Sequence, residues 1–235
     1  MSEAHPHDLS QEDVVEFKTR YCDENDTIAQ LLRALFRDWI EPPVLDVGCG
    51  MGDISQIAFP DVETVLLDNL DFSAFPAARL HRRVLLDFYG YEMPEKGQPR
   101  TALFSHVLQY IDGDRGCLLR KFRQLNFPKI ITVLNRNDGL MTELLAWGRH
   151  NIPDGNPELR VPGFPPAADY AQERTCSFTA VLDCPDFDVL ARQVAYLFDT
   201  SLTTAQHGAL MQFLAAGLSK PRMPITQDIT GYSRI

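Results

Sequence analysis

Residues 44–53 read Val-Leu-Asp-Val-Gly-Cys-Gly-Met-Gly-Asp. A short apolar stretch carrying one acid, Val44 to Val47, runs directly into three glycines at alternate positions, Gly48, Gly50 and Gly52. The apolar part reads as a buried strand and the glycines as a tight turn at its carboxyl end. Glycine is required where the backbone must turn sharply and come close to a ligand. A dinucleotide fingerprint runs GxGxxG, whereas this bend runs GxGxG and is followed by Asp53. A carboxylate there is unwelcome beside a pyrophosphate at a helix N-terminus. The bend therefore suits a ligand that lacks phosphate and carries positive charge.

Outward from the bend, further apolar runs each end in a polar residue. Val62 to Leu67 ends in Asp68, Arg83 to Leu86 in Asp87, Thr101 to Ser105 in Ser105-His106, and Lys129 to Leu134 in Asn135. Helical spacing spans 11–39, where Ile28, Leu31, Leu32, Leu35, Phe36 and Trp39 recur before Pro42 and Pro43 stop the pattern. A brief helix runs from about Asp53 to Pro60, and longer patterns cover 114–125 and 138–149. Continuous apolar strands alternating with helices predict an α/β fold with a parallel sheet covered on both faces. Beyond 150 the texture changes. Residues 151–168 are Pro-rich and loop-like, Arg174 to Leu182 predicts a strand, 186–199 and 203–218 predict helices, and Ile225 to Ile235 predicts a final strand. The whole chain, 1–235, reads as one domain: an N-terminal helical lid at 1–41, a cofactor-binding core at 42–136, a substrate or cap region at 137–222 and a last strand at 223–235.

The acids take their meaning from position. In open α/β sheets ligands bind outside the carboxyl ends of the strands, and an acid about 20 residues beyond the bend accepts hydrogen bonds from ribose hydroxyls. Asp68 stands 20 residues after Gly48. Asp87 can accept from an adenine amino group, with Phe88 offering a ring face or edge. S-adenosylmethionine meets these requirements, since it combines a nucleoside with a sulfonium, an ammonium and one carboxylate.

The formal net charge of −10 disfavours a nucleic-acid partner, which needs a basic face. No apolar run approaches the roughly 18 residues of a membrane span, and the acidic start of the chain has no secretory signal pattern. A cytoplasmic protein is expected, with its five cysteines as reduced thiols and no CxxC pair to hold zinc.

Four segments in order resemble the motifs of the class I S-adenosylmethionine-dependent methyltransferases: VLDVGCGMGD, VETVLLDNLDFS, RRVLLDFYG and ALFSHVLQYID. The resemblance covers about 40–136. It implies a Rossmann-like fold with a mostly parallel seven-stranded sheet, helices on both faces, an N-terminal helical lid and a partial C-terminal cap. It also implies that Asp46, Gly48, Cys49 and Gly50 line the methionine moiety, that Asp68 and Asn69 hold ribose, that Asp87 and Phe88 hold adenine, and that Ser105 and His106 form the rim beside the sulfonium. Asp53 belongs to this set or simply caps the following helix. Tyr21 reaches over the cofactor or packs locally. His106 serves the reaction or is a satisfied loop histidine.

Methyl transfer is an in-line displacement at an already activated carbon, so an enzyme mainly supplies position. Candidates near the reacting carbon are His106, Tyr110, Asn135, Asn137, Tyr170 and Ser201. Ser105-His-Val-Leu stands where base-methylating members carry Asn/Asp-Pro-Pro-aromatic, which argues against base methylation; the expected substrate is a natural-product or amino-acid-derived small molecule. No histidine or carboxylate cluster suggests a metal. Because a cofactor fold does not fix the reaction, two rivals stand beside methyl transfer. Asn137 and Ser201 faintly resemble azetidine-2-carboxylate synthases, which cyclise S-adenosylmethionine by attack of its own amine and release methylthioadenosine. Otherwise Asn137 caps helix 138–149 and Ser201 caps the helix near 203. The second rival is a non-catalytic sensor of the same ligand. Oligomeric state is not readable from the sequence.

Overall fold

The computed structural model describes residues 20–108, 111, 115–152, 164–195, 198 and 202–235. Six helices and seven strands fall within them: α1 Glu24–Phe36, β1 Val44–Val47, α2 Asp53–Ala58, β2 Thr64–Asp68, β3 His81–Leu85, β4 Thr101–Ser105, α3 Arg115–Leu125, β5 Lys129–Asn135, α4 Gly139–Asn151, β6 Tyr170–Asp183, α5 Phe187–Ala195, α6 Thr204–Gly217 and β7 Arg222–Arg234. The sheet order is β3-β2-β1-β4-β5-β7-β6. Strands β1 to β5 are mutually parallel. Strand β7 runs against both of its neighbours. Arg234 N–H donates to Pro128 carbonyl and Arg136 N–H to Thr226 carbonyl, so numbers rise along β5 as they fall along β7. Cys184 N–H to Pro221 carbonyl and Ile235 N–H to Asp169 carbonyl set the same opposition between β6 and β7.

By its contacts the chain divides into two compact units: one takes the described parts of 25–134, 160–178 and 228–235, the other those of 1–24, 135–159 and 179–227. In the first unit, side-chain alternation splits the core between the two sheet faces. Val44, Leu103, Ile131 and Val133 pack with Ile28, Leu32 and Phe36 of α1 and Ile54 and Ala58 of α2. Leu45, Val47, Val65, Leu67, Ala102, Phe104 and Ile130 face the other way, onto Leu118, Phe122 and Leu125 of α3. Helices thus cover both faces, as expected for strands that read as unbroken apolar runs. Parallel crossovers are usually helical, yet β2 to β3 and β3 to β4 are joined by loops alone. Aromatics fill the space on the α3 face. Phe122 lies edge-on to Phe164 at 4.7 Å between centroids, with Phe104, Phe127 and Tyr170 around it.

The second unit has its own core. Met141, Leu144 and Leu145 of α4, Val189, Leu190 and Val194 of α5 and Leu210 and Leu214 of α6 pack with Leu182, Met223 and Ile225.

The expected helix over 11–39 needs correction. Its part before residue 20 lies outside the described residues, and the remainder is not one helix, because Cys22 forms an antiparallel bridge with Leu182 and α1 begins only at Glu24. Asp23 accepts the Val181 N–H at 3.0 Å, which turns the chain before the helix starts. Strand β3 also ends earlier than expected, at Leu85, leaving Asp87 two residues past it. The other strand and helix ends lie within a few residues of their expected positions. No described helix is long and apolar enough to cross a membrane.

Two outcomes test this packing. Phe122 is fully buried, so Phe122→Ala is expected to cost about 3–5 kcal/mol in urea unfolding. His81 is buried, its Nε2 3.1 Å from the Phe59 carbonyl, and burial holds its imidazole below the ordinary range. The unfolded chain therefore takes up the proton first, and stability is expected to fall as pH drops through about 6.5. His81→Gln should flatten that slope in chemical unfolding curves measured between pH 7.5 and 5.5.

Candidate functional site

The bend after β1 is built from left-handed glycines. Gly48, Gly50 and Gly52 have φ of 64°, 54° and 79°, a region that other L-residues enter at a steric cost. Gly48 is also a point of close approach: a Cβ there would lie 2.1 Å from Val107 Cγ2. The first glycine therefore packs against the loop that leaves β4, directly after Ser105 and His106.

Asp46, 3% exposed, accepts from Ser55 Oγ at 2.7 Å, so the acid of β1 is oriented by the helix that follows the bend. Cys49 is buried, with its Sγ 3.5 Å from the Gly50 carbonyl. Asp68, half-buried at the tip of β2, reaches back to the bend. Its Oδ2 accepts the Gly50 N–H at 2.8 Å and its Oδ1 the Leu70 N–H at 2.9 Å. Two carboxylate oxygens offer about four acceptor positions, so each keeps capacity beyond its backbone partner. Asn69, beside it, is exposed.

The third strand tip is tied to the second. Leu86 N–H donates to the Asp68 carbonyl at 2.8 Å, placing Asp87 one residue beyond that contact. Asp87 is exposed and accepts the Gly90 N–H at 2.8 Å. Phe88 turns away from this edge. It is 6% exposed and packs edge-on against Phe104 at 5.7 Å, so its ring belongs to the core.

At the end of β4, Ser105 is buried and its Oγ has no hydrogen-bond partner among the described residues. His106 adopts φ 53° while its N–H donates to the Val133 carbonyl at 3.1 Å. A left-handed non-glycine residue is a local strain of the kind that gathers at functional sites. The structure thus brings together Asp46 to Gly52, Asp68, Ser105 and His106, with Asp87 linked through Leu86.

Several sequence expectations are corrected. Asp53 does not cap α2. The N-cap is Gly52, and Asp53 opens the helix with its Oδ2 accepting from Asn25 Nδ2 at 2.7 Å. Asn137 does not cap α4 either, because Asp138 holds that place, and Asn137 is exposed. The cap of α6 is Thr203, in a capping box with Gln206. Ser201 and Tyr110 lie outside the described residues. Tyr21 packs against the core of the second unit, with the Arg20 guanidinium 5.5 Å from its ring centroid, the local alternative considered for it. Tyr170 is 5% exposed, its hydroxyl donates to the Phe127 carbonyl at 2.6 Å, and burial raises its pKa, all marks of a core residue. Asn135 is buried at the end of β5.

Three residues that shape the bend escaped sequence reading. Ser55 and Asn25 orient carboxylates, as given above. Arg83, on β3, donates from Nη1 to the Gly50 carbonyl at 3.0 Å, from Nη2 to the Met51 carbonyl and from Nε to the Phe75 carbonyl at 3.1 Å. The signal for Arg83 was a charged residue inside a strand of a sheet otherwise rich in aliphatics. Among the described residues no group of three or more His, Cys, Asp or Glu could hold a metal ion.

This architecture is shared with solved structures. The YcgJ protein from Bacillus subtilis matches with a TM-score of 0.57 over 89% of this chain and 98% of its own, at 12% identity. A cyclopropane-fatty-acyl-phospholipid synthase-like protein from Lactobacillus casei matches at 0.56 over 89% and 91%, at 11% identity. The N-methyltransferase NodS from Bradyrhizobium japonicum, in complex with S-adenosyl-L-homocysteine, matches at 0.50 over 97% and 94%, at 9% identity. No protein-family model matches the chain, and no curated protein matches it by sequence. The fold is therefore the Rossmann-like fold of the class I methyltransferases.

Gly48→Ala tests the close approach. The left-handed backbone and the contact with Val107 should together cost on the order of 2–4 kcal/mol. Thermal melts should show Val107→Ala recovering only part of that loss, because the backbone strain remains.

Proposed function

We propose that this protein binds S-adenosylmethionine at the glycine bend and uses it as methyl donor toward a small molecule. The observation that carries the reading is the bond from the Gly50 N–H to the Asp68 carboxylate, which unites the bend and the neighbouring strand-tip acid in one cradle. The residues present fit the ligand. Gly48 leaves no room for a side chain, Ser105 Oγ is a buried polar atom without a hydrogen-bond partner among the described residues, and Asp68 and Asp87 carry carboxylates at and just past the tips of neighbouring strands. In NodS a molecule of S-adenosyl-L-homocysteine is bound within the same fold.

When bound, S-adenosylmethionine supplies a methyl carbon made electrophilic by positively charged sulfur. Asp68, with Asn69 beside it, would accept from the ribose hydroxyls, Asp87 from the adenine edge, and the bend from Asp46 to Gly50 would line the methionine portion. We assign Ser105 and His106 to the acceptor side, where orienting the nucleophile is the main task. A general base matters only where the acceptor must lose a proton early, and His106 is our candidate for it. The net charge of −10 favours a neutral or cationic small molecule over nucleic acid.

Calorimetry with S-adenosylhomocysteine tests the cradle. Asp68→Ala should weaken binding by about 1–3 kcal/mol, a loss of roughly 5- to 150-fold. Unchanged affinity would refute the ribose role. Product analysis then separates the reactions. With S-adenosylmethionine alone we expect no turnover, and with a suitable small-molecule acceptor S-adenosylhomocysteine should form. Methylthioadenosine and a cyclic amino acid formed from the cofactor alone would replace methyl transfer with ring closure. Failure of the wild-type protein to bind either nucleoside would end the reading.

A further inference from the structure

Arg83 lies on β3 opposite Leu66 of β2, which in turn pairs with Asp46 of β1, so its side chain issues on the sheet face that carries α1 and α2. From there it reaches the underside of the glycine bend. Its guanidinium meets the carbonyls of Gly50 and Met51 and, from the loop between β2 and β3, that of Phe75. Left-handed glycines on both sides of Met51 make two successive carbonyls converge within reach of one guanidinium fork. Converging carbonyl dipoles repel unless a donor or cation sits among them, and arginine's planar array of donors suits that task where a lysine's point charge does not.

Gly50 is consequently held from both sides. Its N–H goes to Asp68 at 2.8 Å and its carbonyl to Arg83 at 3.0 Å. The loop that replaces a crossover helix is fastened at the same place, since Phe75 accepts from Arg83 and Ala78 N–H donates to Gln56 Oε1 at 2.7 Å, Gln56 being a residue of α2. We infer that Arg83 is a positioning residue for the adenosyl ligand: by pinning the carbonyls of the bend it fixes Gly50, and through Gly50 the orientation of the Asp68 carboxylate. The inference rests on the reading of the bend as an adenosyl cradle. Arg83 itself touches backbone and no ligand atom in this assignment.

The action runs through the ribose acid, which specifies the experiment. Affinities for S-adenosylhomocysteine and for 5′-methylthioadenosine, which keeps the ribose and lacks the amino-acid portion, are measured by calorimetry for wild type, Arg83→Met, Asp68→Asn and the double variant. Measurements are made well below each variant's unfolding temperature. Arg83→Met should weaken both ligands by a similar factor, roughly 10- to 100-fold, the scale of hydrogen bonds lost from a half-buried charged group. The double variant should lose several-fold less than the product of the single losses, because both changes act on Gly50. Arg83→Lys, which keeps the charge and part of the bonding, should fall between wild type and Arg83→Met, and it carries the same comparison should the methionine variant fail to fold. A merely structural role predicts independent, multiplicative losses. Multiplicative losses, a loss confined to S-adenosylhomocysteine, or unchanged affinity in the Arg83 variants while wild type binds would each overturn the inference alone. Failure of wild type to bind either ligand would remove the cradle reading with it.

Discussion

A chain that turns through three left-handed glycines satisfies only part of its backbone locally: here the Gly52 N–H meets the Cys49 carbonyl, while other groups of the bend look to neighbouring strands. The amides and carbonyls of such a bend point outward in opposite directions, and buried ones cost free energy unless something meets them. Here Asp68 takes an amide of the bend from the tip of one strand, while Arg83 takes two carbonyls from the next strand along. The bend is thus braced by β2, which lies beside β1, and by β3, the edge strand beyond it. Register does the rest: Asp46, Leu66 and Arg83 align on one face, and Asp68 pairs with Leu85.

That bracing explains how two crossovers do without helices. A helix between parallel strands normally buries a sheet face. Between β2 and β3 the covering is instead a loop laced to the bend by Arg83 and to α2 by Gln56. The next crossover contributes Phe88 and Tyr91 to the α3-side core. The cover is incomplete at the sheet's edge, where Leu80, Leu85 and Leu86 remain exposed. Apolar exposure on strand β3 is the physical consequence of replacing helices with loops there.

Most of the fold was legible because parallel strands buried on both faces must be apolar at every position, and such runs stand out between helical patterns. The place of Asp68 was legible for a related reason, since an acid at the end of an apolar run marks the strand's carboxyl tip, whereas Asp87 stands two residues past its strand. What escaped depended on tertiary context. Arg83 looks solvated in the sequence, because nothing local reveals that three carbonyls converge on it. Phe88 and Tyr170 are aromatic residues near polar strand ends, and only the packing around Phe104 and Phe122 decides that both face the core. The capping alternatives weighed for Asp53, Asn137 and Ser201 fell one or two positions from the actual caps, Gly52, Asp138 and Thr203. The choice among neighbouring cap residues turns on backbone angles that composition does not fix.

The electrostatics of the bend bear on which ligands it admits. Arg83 brings a positive charge to it, which taken alone would favour a phosphate. Three of the guanidinium's five N–H groups, however, are committed to carbonyl oxygens, so its charge is set against the negative ends of backbone dipoles. Asp46, Asp53 and Asp68 stand on or beside the same bend, and their partners include the neutral donors Ser55 and Asn25 and backbone amides. The arrangement ties the guanidinium to backbone carbonyls of the bend and of the loop before β3. A pyrophosphate would be repelled by these carboxylates, and a nucleoside carrying a sulfonium would be attracted by them.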